Sequence, residues 1–168
     1  MISGGAPTVR FAVRLEPDRF EVEPVRARAV PDDADRDTPY GRLLFGREDR
    51  VEVFVEDDLV ALVAGPCFQA VIQLVAGENY LSWTERYPGE INFTHTVDGI
   101  RLDGSVLDGA GQPGAELELP ADELIPGLYA CGRRALDFLR AELGTDPAQT
   151  PALAALEELA AEAGTALR

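Results

Sequence analysis

Apolar and polar residues alternate over positions 8–15 (TVRFAVRL), with Val9, Phe11, Val13 and Leu15 on one side, which is the pattern of a half-buried strand. A second strand is read over 20–30, and positions 50–56 (RVEVFVE) alternate as cleanly as the first. Further strands are read over 80–86, 90–97, 100–107 and 115–119. The short links between these runs favour antiparallel pairing, because parallel neighbours need a crossover of a dozen or more residues. After Pro120 the period lengthens to about 3.6, with Ile125, Leu128, Tyr129, Gly132, Leu136, Leu139 and Leu143 on one stripe and Arg133, Asp137 and Arg140 off it. This predicts a long helix that starts near Ala121 or at Pro126 and stops at Gly144. A second helix is announced by Thr150 as N-cap and Pro151 at the first helical position. Its narrow stripe is Leu153, Leu156, Ala160, Ala163 and Leu167, which suits docking on the domain itself or on a second copy.

Two segments resist this scheme. Positions 59–77 (LVALVAGPCFQAVIQLVAG) run for 19 residues without a charge, near the length of a membrane span. Gly65-Pro66, Gln69 and Gln73 argue against a span. The expectation is a short helix started by the Asp57-Asp58 carboxylates, a Gly-Pro turn, and a buried strand over 68–76. Positions 31–49 begin with PDDADRD and a tight Pro39-Tyr40-Gly41 stretch, and read as an exposed acidic loop region. The predicted fold is a single α+β domain over 1–168, mainly an antiparallel sheet of about six strands with C-terminal helices, the last over 150–168, packed on one face.

Composition narrows the chemistry. Thirty acidic residues against fifteen basic ones give a formal charge of −15, which disfavours nucleic acid and anionic membrane as partners and favours a basic protein or a cation. The charge is uneven: residues 1–50 carry 9 Arg and 10 Asp or Glu, whereas residues 51–168 carry 6 Arg and 20 Asp or Glu. All basic residues are arginine, so a Walker lysine, Schiff-base chemistry and lysine general bases are excluded. GC-rich coding or a high-salt habitat would produce the same absence of lysine without any functional cause. The first residues lack a charged and apolar leader pattern, so a cytoplasmic location is expected. Cys67 and Cys131 belong to no metal-ligand spacing and are expected as reduced, partly buried thiols, with a disulfide between them as the alternative.

Candidate sites are few. The segment WTERYPGE gathers Trp83, Glu85, Arg86, Tyr87 and Glu90 around a Pro88-Gly89 turn, and His95 follows close by. Trp, Tyr and Arg are the residues most often found as interface anchors, so these six are the candidate binding residues. His95 is the only histidine, so no His-His metal pair can form. The Asp-Gly dipeptides at 98–99, 103–104 and 108–109 recur at an odd interval, which puts successive carboxylates on opposite strand faces, unsuited to one cation. They are read as a hairpin turn, a kink and a loop. No catalytic residue, metal site or cofactor is assigned. In being compact, acidic and motif-poor the chain is similar to small bacterial immunity proteins, a likeness of style that no motif carries. The expected function is an acidic protein-binding module of immunity or inhibitor type, with a homo-oligomer through the C-terminal helix as a further option. The alternative is a small-molecule-binding domain or enzyme with a pocket between the sheet and helix 120–143.

Overall fold

A computed structural model of the chain describes residues 8–16, 18–25, 39–47, 50–82 and 90–168. The architecture is α+β and antiparallel, as the patterning predicts, with the strands divided between two sheets. The first sheet has the order β2-β1-β3-β4-β8, from β1 (Val9–Glu16), β2 (Arg19–Val22), β3 (Tyr40–Arg47), β4 (Arg50–Asp58) and β8 (Leu107–Asp108). The second has the order β5-β6-β7-β9, from β5 (Tyr80–Leu81), β6 (Ile91–His95), β7 (Ile100–Gly104) and β9 (Leu117–Leu119). Val9, Phe11, Val13 and Leu15 are all buried on one face of β1, in line with the alternation. Leu43, Phe45, Val53 and Val55 extend that face across β3 and β4. The second sheet contributes Ile91, Phe93, Ile100, Leu102 and Leu119 to the same core. The sheets meet at Phe45 and Phe93, whose rings stand edge to face with centroids 6.0 Å apart.

The acidic loop region of the sequence reading contains a strand. Positions 31–38 lie outside the described residues, but β3 lies between β1 and β4, in the middle of the first sheet. Its apolar run Leu43-Leu44-Phe45 shows no alternation because both faces are covered. Leu43 and Phe45 enter the main core, while Leu44 joins Ala12 and Phe54 in a small cluster on the opposite face. Arginines roof that second cluster. The Arg42 guanidinium lies 3.7 Å from the Phe20 ring centroid and 4.2 Å from that of Phe54, and Arg14 lies 5.7 Å from the Tyr40 ring. Arg42 also donates from Nε to Glu56 at 2.6 Å, and the Tyr40 hydroxyl donates to the other Glu56 oxygen at 3.1 Å.

The expected strand over 68–76 is instead helical. Helix α1 (Leu59–Leu62) continues through a π-helical stretch (Val63–Gln69) into α2 (Ala70–Val75) without a break. Asp58 caps the start by accepting from the Val60 N–H at 2.8 Å, as the paired aspartates suggested. Pro66 does not end the helix because it sits inside the π turn. In an α-turn the proline ring collides with the carbonyl four residues back; an i→i+5 turn moves that carbonyl aside. Among the described residues no helix is long and apolar enough to cross a membrane.

Helix α3 (Ala121–Leu143) takes the earlier of the two starts, with Pro126 inside it, and buries a wider stripe than expected, including Leu124, Cys131, Ala135 and Phe138. Gly144 is its C-cap with right-handed φ −64°, not a left-handed stop. Helix α4 (Thr150–Ala166) begins after a short 3-10 turn, Pro147–Gln149. Thr150 is therefore not its cap; Asp146 caps the preceding turn by accepting from the Ala148 N–H at 3.0 Å. Leu156, Ala160 and Ala163 of α4 are buried within the chain's own core, against α3 and the 59–75 helix. The stripe offered for a second copy is thus largely used inside the chain.

Candidate binding surface

Of the six candidate residues, Trp83, Glu85, Arg86 and Tyr87 lie outside the described residues, as does the Pro88-Gly89 turn. Glu90 immediately precedes β6 and His95 ends it, and the structure does not bring them together. Their separation of five places them on opposite faces of the pleat. The Glu90 carbonyl accepts from the Ser105 N–H at 3.1 Å, and the His95 N–H donates to the Asn79 side chain at 2.9 Å. The His95 Nε2 is shielded from water and has no hydrogen-bond partner among the described residues.

The expected pocket against helix 120–143 falls where packing is dense. Leu124, Leu128, Cys131, Ala135 and Leu139 of α3 are fully buried, and Phe138 meets Phe11 of β1 with ring centroids 5.8 Å apart. Arg134 ties the same helix to the first hairpin, bonding Glu23 at 2.5 Å and the Val9 carbonyl at 3.1 Å. Glu23 holds a left-handed φ of 43°, an unusual conformation for a side chain of its size.

Acidic residues gather elsewhere, at one end of the second sheet. The β6–β7 turn is closed by Thr96 and Gly99, with the Gly99 N–H donating to Thr96 Oγ1 at 3.0 Å. This turn lies on the start of α3: a Cβ at Gly99 would fall 2.3 Å from the Leu119 carbonyl oxygen and 3.2 Å from the Pro120 Cα. Thr96 in turn donates to Glu118 at 2.5 Å. Asp98, Glu116, Glu118, Asp122 and Glu123 are thereby set along one exposed edge. Nearby Arg101 pairs with Asp103 at 3.2 Å. Among the described residues, Asp98, Glu116, Asp122 and Glu123 have no ion-pair partner.

The edge runs into an open groove of about 500 Å³ where β4, β8 and β9 come near each other, lined by Arg50, Glu52, Asp108 and Glu116 among others. One Asp108 oxygen is committed to its own turn, accepting from the N–H groups of Ala110 and Gln112 at 2.9 and 2.8 Å. Among the described residues no three acidic, histidine or cysteine side chains are grouped to hold a metal ion. The sequence held a signal for this surface: AELELPADEL places Glu116, Glu118, Asp122 and Glu123 within eight positions.

Tyr80 lies under the π-helical stretch, where a Cβ at Gly65 would fall 2.5 Å from the phenol oxygen. Burial pushes its phenol up to about 12, against a smaller opposing pull from the Ser82 hydrogen bond. The folded state thus holds this proton more tightly than the unfolded chain. The contribution is complete below the ordinary tyrosine range, near pH 10, and is lost as pH rises through the folded value, for a total of roughly 2–3 kcal/mol. Urea unfolding of the chain and of Tyr80→Phe at about pH 9 and about pH 11.5 should show a weaker alkaline loss in the variant. Equal losses in both proteins would remove Tyr80 as a source.

Comparison of the chain with protein-family models, with curated proteins and with solved structures finds no match in any of the three.

Proposed function

We propose that the chain is an acidic protein-binding module that engages a basic protein in the cytoplasm, as an immunity or inhibitor protein would. The observation that carries this reading is the exposed edge of Asp98, Glu116, Asp122 and Glu123, four carboxylates without ion-pair partners among the described residues, beside an open groove. Asp122 and Glu123 have a structural use, since negative charge in the first turn of α3 favours the helix dipole. Asp98 and Glu116 serve no helix, so stability does not account for the edge as a whole. Unpaired charge of one sign speeds encounter with an oppositely charged surface and disfavours acidic competitors. Exposed charges act over about 8–10 Å at physiological salt, so the partner must bring its basic groups close.

The test is retention of proteins from the native lysate by the immobilised chain at low and at high salt, in parallel with the Asp98→Asn/Glu116→Gln/Asp122→Asn/Glu123→Gln variant. The expected result is a basic protein held at low salt and bound roughly tenfold or more weakly by the variant. Recovery of no basic protein at either salt, or equal retention by both forms, would overturn the reading.

A further inference from the structure

Cys67 in the π-helical stretch and Cys131 in α3 are distant in sequence but adjacent in the core. Both are free and fully buried, on two helical segments that pack against each other. The contact is made possible by Gly132: a Cβ there would fall 2.9 Å from the Cys67 Cβ and 2.7 Å from the Phe68 ring. The missing side chain lets the π-helical stretch pack closely on α3 at the turn that carries Cys131. Nothing in the acidic surface or its proposed partner calls for such a pair.

We propose that Cys67 and Cys131 form an oxidisable pair that a two-electron oxidant of the peroxide class converts to a disulfide, joining the π-helical stretch to α3. One sulfur attacks a peroxide oxygen, the O–O bond breaks, and a sulfenic acid and one water result. The second sulfur then displaces that oxygen as a second water, leaving the S–S bond. Two thiol hydrogens are lost and one peroxide is reduced to two waters.

The setting controls the rate. The neighbouring Cys67 side chain and burial push the Cys131 thiol well up, against a weaker pull from Arg134. Cys131 is therefore slow to react while the packing is closed. Reaction requires a local opening of the packing between the two segments, and the non-ideal π turn around Pro66 is the place for it. Once formed, the bond closes a loop of more than sixty residues, which restricts the unfolded chain and should stabilise the fold.

The full chain is incubated with hydrogen peroxide over hours without denaturant, then alkylated and peptide-mapped. Expected are a loss of two hydrogens in intact mass, a peptide joining Cys67 to Cys131, and unfolding at higher urea than in the reduced protein. Cys67→Ala should remove the bridge, and the wild-type map alone decides the matter if that variant fails to fold. Thiols that both stay free in the folded protein, that oxidise separately to sulfinic acids, or that link two chains would each overturn the proposal.

Discussion

Replacing Phe93 with alanine is expected to lower the free energy of unfolding by about 3–5 kcal/mol, in the range for a fully buried phenylalanine. Phe93 occupies the middle of β6 and is wholly buried. Its ring stands against Phe45 of the other sheet at 6.0 Å and against Tyr80 at 5.8 Å. The cavity would thus open where the two sheets meet, bounded by aromatic rings on two sides. Urea unfolding with a two-state fit measures the loss, and Thr94→Ala on the opposite face of β6 serves as the shallow control. A double-mutant cycle with Phe45→Ala should return a coupling of about 0.5–1.5 kcal/mol for the ring pair. A loss for Phe93→Ala no larger than that of the Thr94 control would mean that the sheets do not share a core.

The second large effect concerns two glycines of the same helix, which should respond to alanine with opposite signs. Helix propensity alone favours alanine over glycine by about 1 kcal/mol. At Gly127 the new methyl would lie 3.4 Å from Val9 Cγ2, an ordinary contact, so the propensity gain should appear in the measured stability. At Gly132 it would lie 2.7 and 3.0 Å from two Phe68 ring carbons and 2.9 Å from the Cys67 Cβ. Those partners are buried and cannot swing away. Overpacking of this kind costs about 1–3 kcal/mol and exceeds the propensity gain, and Gly132→Val, with more bulk, should destabilise further. Thermal or urea unfolding of the alanine pair gives the answer. A Gly132→Ala protein as stable as Gly127→Ala would contradict the close approach of α3 to the π-helical stretch.

What could be read beforehand follows a physical line. Elements whose outward positions are mostly polar in sequence declare themselves by period, as β1, β4 and the two C-terminal helices do, even though Ala12 and Phe54 are buried on the second face. β3 does not, because its outward Leu44 is apolar and buried in that second cluster while Leu43 and Phe45 enter the core. The helix over 59–75 was legible in another register. Its buried positions include the pairs Leu62 and Val63, Pro66 and Cys67, Ala70 and Val71, with Phe68 beside the middle pair, and the pairs are four apart instead of the 3.6 of an ideal helix. That slower period is the mark of a widened turn, and Gly65-Pro66 masked it. The acidic edge was half legible. The run 116–123 is a local signal, but the pairing of β7 with both β6 and β9 is what carries Asp98 to it. The aromatic segment from Trp83 to Tyr87 lies outside the described residues, so its role as an anchor rests on residue type alone.

The two rings that hold Arg42 carry a consequence for which substitutions the chain can accept. A guanidinium is flat and weakly hydrated, so it can stack on Phe20 with one face and on Phe54 with the other while its edge bonds Glu56. An ammonium is a hydrated point with no plane to share. Genome-wide drift in base composition treats the two cations as interchangeable charges, and over most of the surface that holds. At position 42 it does not: a lysine would keep the sign and lose the stack. Arginine at position 42 is thus a requirement of shape as well as of charge.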